Sequence, residues 1–243
     1  MKVGDLPVGA HILLGAADDR DLEWVKVTTD SRFFLISCIA KKMFDAREHN
    51  SQSAIRRSCG NNFYPHSNIH QWLNGRGSEW FTETHPEDER TFGYFSAGFL
   101  TEFMPDELDA MADQEIVVAV PVGSRKQFGR KYTITAKVWL PSASEFGYED
   151  PDVSCEGEPI EALIDLAGAY PGIGIMTRTG VRDGGHVIHY SGLSPLTAMA
   201  RIRSNIRPMI CLKQNTEVSD PDSNGKYTIR NTEFMDRFLD FIT

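Results

Sequence analysis

The chain has 243 residues, of which 41% are hydrophobic and 24% charged, with a formal net charge of −9. A chain of this length buries roughly 70–75% of its unfolded surface in one large domain or two small ones, and its near-average composition excludes a disordered or fibrous polymer. The longest apolar run, Phe33 to Ala40, is interrupted by Ser37 and too short to span a bilayer, so no membrane insertion is expected, and the acidic total argues against a general nucleic-acid binder.

The first third is strand-like. Ala10–Leu14, Leu22–Val27 and Arg32–Cys38 read as three successive strands, with Leu22, Trp24 and Val27 pointing inward. Gly15–Arg20 and Thr29-Asp30-Ser31 are the turns between them. Phe33-Phe34-Leu35-Ile36 is apolar at both parities, as expected of a strand covered on both faces. From Lys42 to Phe63 the chain is polar and weakly periodic, which predicts a long loop with a short helix. Ser67 or Asn68 then caps a helical turn whose Ile69, Trp72 and Leu73 share one buried face, closed by Asn74-Gly75.

Between Glu79 and Glu115 the chain carries 11 acidic residues against one basic residue, Arg90. Pro105, Asp106 and Glu107 open a short helix within it. Ile116–Val120 and Lys137–Leu140 read as strands flanking a basic, Gly-rich loop, and Ile160, Leu163, Ile164 and Ala167 have helical spacing. The last third is rich in loops, with short strands expected near Ile173–Arg178, His186–Tyr190, Ala200–Arg203 and Ile206–Lys213. Its charge reverses: from Arg178 to Lys213 six Arg and Lys residues face Asp183 alone. Beyond Arg230, Phe234, Phe238 and Ile242 recur at four-residue spacing on one face of a predicted helix.

Chemistry is sparse. The four cysteines, Cys38, Cys59, Cys155 and Cys211, form no C-x-x-C pair and read as free thiols. No phosphate loop and no G-x-S-x-G elbow is present, and Gly172-Ile173-Gly174 lacks the third glycine of a dinucleotide fingerprint. His66 and His70 lie four apart but lack third and fourth ligands, so no metal and no cofactor is expected. Glu145 and Glu149 read as acids on a solvated helix face, and no catalytic dyad is assigned. The Arg178–Arg203 segment mixes Arg, His, Tyr, Gly, Ser and Thr, which is the composition of adaptable recognition loops and equally of an ordinary glycine-rich loop with solvated arginines.

Several distinct phrases stand in order along the chain: Trp24-Val25-Lys26-Val27, Phe44-Asp45-Ala46, Gly60-Asn61-Asn62-Phe63-Tyr64, Ser67–Asn74, Gly98-Phe99-Leu100, Lys137–Gly147, Thr177-Arg178-Thr179 and Ile206-Arg207-Pro208-Met209. Together they resemble a domain family of Gram-positive gut bacteria and their phages. Met176, Gly180 and Met209 depart from its pattern. That family is similar to the C-type-lectin-like scaffold shared with formylglycine-generating-type proteins, and some of its phage members are diversified by retroelements in late surface loops. The resemblance implies an α+β, C-type-lectin-like domain of short twisted antiparallel sheets, long loops and peripheral helices over residues 1–229, with a docking helix over 230–243.

On that reading Trp24, Trp72, Asn74, Trp139 and Arg207 are structural supports, and Arg207 needs a carboxylate or carbonyl opposite it if buried. Arg178, Arg182, His186, His189, Tyr190, Arg201 and Arg203 are the candidate ligand contacts. The function expected is that of a non-enzymatic phage virion protein of the tail fibre or baseplate, binding a host-surface glycan or protein. It is expected to form a homo-oligomer and to meet other virion subunits through Phe234, Phe238 and Ile242. With no secretory signal visible at the N-terminus, synthesis in the bacterial cytoplasm is expected. The alternatives are a structural decoration or connector subunit and, less favoured, an enzyme acting on cell-wall material or a thiol substrate.

Overall fold

A computed structural model describes residues 1–39, 41–48, 51–77, 97–120, 130–150, 156–169, 174–191 and 194–230. Phe234, Phe238 and Ile242, Cys155, and most of the predicted basic loop lie outside these residues. The architecture is α+β, with short helices set around antiparallel-rich sheets.

The first sheet begins with the hairpin of β1 (His11–Ala17) and β2 (Arg20–Lys26). Asp18 and Asp19 link them with φ of 51° and 58°, the doubly left-handed turn that matches the twist of a two-residue hairpin. Trp24 of β2 stands opposite Leu35 of β3 (Arg32–Leu35), and Phe34 opposite Met209 of β13 (Met209–Leu212). All four residues of β13 are buried, as a continuous apolar run in mid-sheet requires. Beyond it lie β5 (Met111–Ala112) and β8 (Val138–Trp139), while β14 (Lys226–Thr228) runs parallel to β1 at the other edge.

A second sheet has the order β11-β10-β9-β12-β4. Its strands are β4 (Lys41–Lys42), β9 (Gly174–Gly180), β10 (His186–Ser191), β11 (Ser194–Met199) and β12 (Ser204–Asn205). The predicted strand over Ala200–Arg203 is instead the turn between β11 and β12, because Ala200 is tied to Phe44, Asp45 and Gly185 and Ile202 bonds back to Met199. A separate hairpin pairs β6 (Gln114–Ala119) with β7 (Lys131–Ala136).

The helices are α1 (Ala54–Cys59), α2 (Asn68–Asn74), α3 (Pro105–Ala110) and α4 (Glu161–Ala169). Ser67 Oγ accepts from His70 N at 3.3 Å and so caps α2, whose Ile69, Trp72 and Leu73 are buried. Trp24, Trp72 and Trp139 are 0%, 5% and 0% exposed, and burying each indole contributes about 4–6 kcal/mol by area. Stacked rings carry the core from sheet to sheet: Phe34 meets Phe146 edge-on at 6.3 Å, and Phe146 stacks on Tyr190 at 4.7 Å. Among the described residues no helix is long and apolar enough to cross a membrane.

Candidate functional site

Four of these phrases, those around Asp45, Asn61, Asn74 and Val138, meet in space as one hydrogen-bonded frame. Asp45 Oδ2 accepts from Asn61 N at 3.0 Å and its Oδ1 from Asn68 N at 3.1 Å, joining three phrases through one buried carboxylate. Asn74 leaves α2 to grip β8: its Oδ1 accepts from Lys137 N and Val138 N, and its Nδ2 donates to Val138 O at 2.8 Å. The hydroxyl of Tyr64 accepts from Leu140 N at 3.1 Å.

Arg178 closes this frame from the inside. It is 1% exposed and faces the equally buried Glu145, with Nη1 to Oε2 at 2.8 Å and Nη2 to Oε1 at 3.3 Å. Nη1 also donates to Leu140 O, Nη2 to Glu156 O and Nε to Val117 O. All five guanidinium protons are thereby used. Burial on its own would lower the Arg178 pKa, but the Glu145 carboxylate, Glu156 and Tyr64 together outweigh burial and hold the group above its ordinary value. Arg178 is therefore held inside the frame with its donors engaged, and not on an exposed late loop as the sequence reading expects. A lone cation in a polar stretch reads as solvated, and only its pairing with a carboxylate 33 positions earlier allows it inside.

His189 and Tyr190 are likewise buried, at 5% and 4% exposure, and not displayed on the surface as the sequence reading expects. His189 Nδ1 lies 2.8 Å from Ser204 Oγ, and burial pushes its pKa down to about 4. Tyr190 lies against Phe146 and Tyr148. Arg207 is also buried, two residues before β13.

The other candidates, Arg182 and His186 at the β9–β10 turn and Arg201 and Arg203 in the β11–β12 turn, retain solvent exposure. Three segments build this rim. The β9–β10 turn is held by Asn62 Nδ2, which donates to Val181 O and His186 O at 2.7 and 2.6 Å. Gly185 lets that turn lie on α1, since a Cβ there would stand 2.7 Å from Ile55 and 2.9 Å from Cys59. The β11–β12 turn joins them through Arg201 N to Cys59 O at 2.9 Å and Arg201 Nε to Ser58 O at 2.8 Å. Helix α1 thus adds Arg57, which is exposed, and Arg56, which is half-buried and 3.9 Å from Glu48. His186 is paired locally with Asp183. The charge of Arg203 also reaches Lys42, whose pKa is lowered by burial first and by Arg203 second.

Sequence reasoning missed Arg56 and Arg57 because α1 is too short for a periodic signal. The neighbouring Gly60-Asn61-Asn62 phrase, which binds the β9–β10 turn, was the available pointer.

A second concavity, a cleft of about 860 Å³, opens between the β2–β3 turn, β6 and the start of α4. Its margin carries Asp30, Glu115, Glu158, Glu161 and Asp165 against Arg32, and Trp139, Glu145 and Arg178 form part of its inner wall. Rim and cleft therefore carry opposite charge. His66 and His70 gain no partners for a metal: among the described residues no three His, Cys, Asp or Glu side chains are grouped to hold one. His70 lies 4.8 Å from the Tyr64 ring, and burial, followed by the charge of His66, lowers its pKa to about 4. Among the described residues, Cys38, Cys59 and Cys211 form no disulfide.

No curated protein and no solved structure matches the chain. A family model described as a domain of unknown function, DUF6273, matches residues 30–214, an interval that contains Asp45, Tyr64, Asn74, Glu145 and Arg178. With about three quarters of its length matched, the chain belongs to the DUF6273 family.

Proposed function

We propose that this chain is a non-enzymatic binding protein whose cationic rim takes an anionic ligand on a bacterial surface. The observation that carries the reading is the joining of three arginine-bearing segments, α1 with Arg57, the β9–β10 turn with Arg182 and the β11–β12 turn with Arg201 and Arg203, through Gly185, Ser58 and Cys59. Arginine forks suit carboxylate, phosphate and sulfate groups, and loops held by a rigid frame lose little entropy on binding. Two packed sheets with long connections and a late loop cluster support a C-type-lectin-like scaffold. The ordered phrases support placing the chain on a phage virion, in a tail fibre or baseplate, with a host glycan or protein as ligand. A host polymer bearing phosphate or uronate groups fits the charge of the rim.

The test is a cell-binding assay with the full chain and intact Gram-positive host cells. Arg182→Ala and Arg203→Ala are each expected to weaken binding about 10- to 150-fold, the effect of losing one charge-assisted hydrogen bond, and binding should fall as salt rises. Unaltered cell binding in both variants would reject the rim as the contact surface.

A further inference from the structure

Among the described residues, strand β11 ends the second sheet and has an edge with unusual self-complementarity. Its pairing with β10 runs without a register shift from His186↔Met199 to Ser191↔Ser194. Just beyond, Ala200 N donates to Gly185 O, so the alternation of an antiparallel ladder directs Ala198 and Leu196 toward β10. The backbone groups of Pro195, Thr197 and Met199 then point away from the sheet. Two observations agree with this phase: Pro195, which has no N–H, occupies a position that needs no bond to β10, and Ile188 O, opposite Thr197, is taken by Thr177 Oγ1 from the β9 side. Met199 O is already used by Ile202 N, leaving Pro195 O, Thr197 N and O, and Met199 N without partners among the described residues.

We propose that β11 pairs with β11 of a second copy of this chain, antiparallel and centred on Thr197. In that register Thr197 exchanges both backbone bonds with its symmetry mate, and Met199 N–H of each copy donates to Pro195 O of the other. The two groups missing from a perfect ladder cancel: the absent N–H of Pro195 stands opposite the Met199 carbonyl that is already occupied. Leu196, 55% exposed, comes to lie across from Ala198 of the other copy, and Thr197 meets Thr197.

Charge favours the same occupant. The segment Pro195–Met199 has no ionisable side chain, although a charged edge is the usual protection against such pairing. Antiparallel pairing also sends the two arginine-bearing β11–β12 turns to opposite ends of the joint, so like charges are not brought together. The two five-stranded sheets become one continuous sheet related by a two-fold axis, and its two rims are available for bivalent attachment to a surface.

The joint is small, so association should depend on concentration in the micromolar to millimolar range. Sedimentation of the full chain across about two decades of concentration is expected to show a monomer–dimer equilibrium, and amide exchange at Thr197 and Met199 should slow as concentration rises. Thr197→Pro removes an N–H that does not serve β10 and is expected to weaken dimerisation at least tenfold, while Thr197→Val, which keeps that amide, should dimerise as the parent does. If Thr197→Pro unfolds, the concentration-dependent exchange of the unmodified chain decides. A chain that remains monomeric throughout, a dimer that survives Thr197→Pro in folded protein, or exchange at Thr197 and Met199 that ignores concentration would each overturn the proposal.

Discussion

Arg178 is the residue at which charge and environment diverge most. Its five bonds and its ion pair with Glu145 tie β9 to the segments around residues 117, 140, 145 and 156. Removing one member of such a pair leaves a buried charge uncompensated. Arg178→Ala or Glu145→Ala is thus expected to cost about 3–5 kcal/mol, measured by denaturant unfolding. Replacing both together should cost less than the sum of the two, and additive losses would show that they do not act as a pair.

The tryptophans were legible because large apolar side chains at regular spacing have one common fate. Arg178 was not, because its partner is distant in sequence. His189 offers a pH readout. Its folded pKa of about 4 lies below the ordinary histidine value, so the unfolded chain binds the extra proton between about pH 6.5 and 4. Its contribution is complete above that window and is lost as pH falls through it, by up to about 1.4 kcal/mol per pH unit. The half-buried His70 adds in the same direction. His189→Gln should flatten the acid limb of a stability–pH curve recorded by thermal melting, and an unchanged limb would contradict the assignment.

At the scale of elements, α2 could be read directly: a serine cap, three apolar residues on one face and a terminal Asn-Gly. What could not be read is that Asn74 reaches 63 and 64 positions onward to satisfy two backbone amides beside β8. Asn74→Ala leaves Lys137 N and Val138 N without this acceptor, an expected loss of about 2–4 kcal/mol in chemical denaturation. A loss below about 0.5 kcal/mol would mean that water replaces the amide. The turn after β11 was misread as a strand because Ala200–Arg203 alternates apolar and charged residues, a period-two pattern that an isolated turn can imitate. Glycine at position 185 is a steric requirement of the rim. Gly185→Val should push the β9–β10 turn away from Ile55 and Cys59 and lower the affinity of the rim more than it lowers the melting temperature. Equal binding in that variant would remove the turn from the site.

At the scale of the molecule, the uneven charge visible along the sequence becomes two surfaces, an arginine rim built by α1, the β9–β10 turn and the β11–β12 turn and an acidic cleft beside β6 and α4. The segment charges were legible, but their addresses were not. Arg178 went to the interior, and Arg57 joined the rim from a helix far upstream. The same separation makes the central claim testable by charge reversal on either surface.

The most direct measurement is the salt-dependent affinity of the full chain for an immobilised phosphate-bearing polysaccharide. The parent is compared with Arg182→Glu/Arg203→Glu at the rim and with Glu161→Lys/Asp165→Lys at the cleft. The account predicts that the rim variant loses at least about a hundredfold in affinity, the cost of two reversed charges, while the cleft variant binds as the parent does or more tightly. Full binding by the rim variant would contradict it.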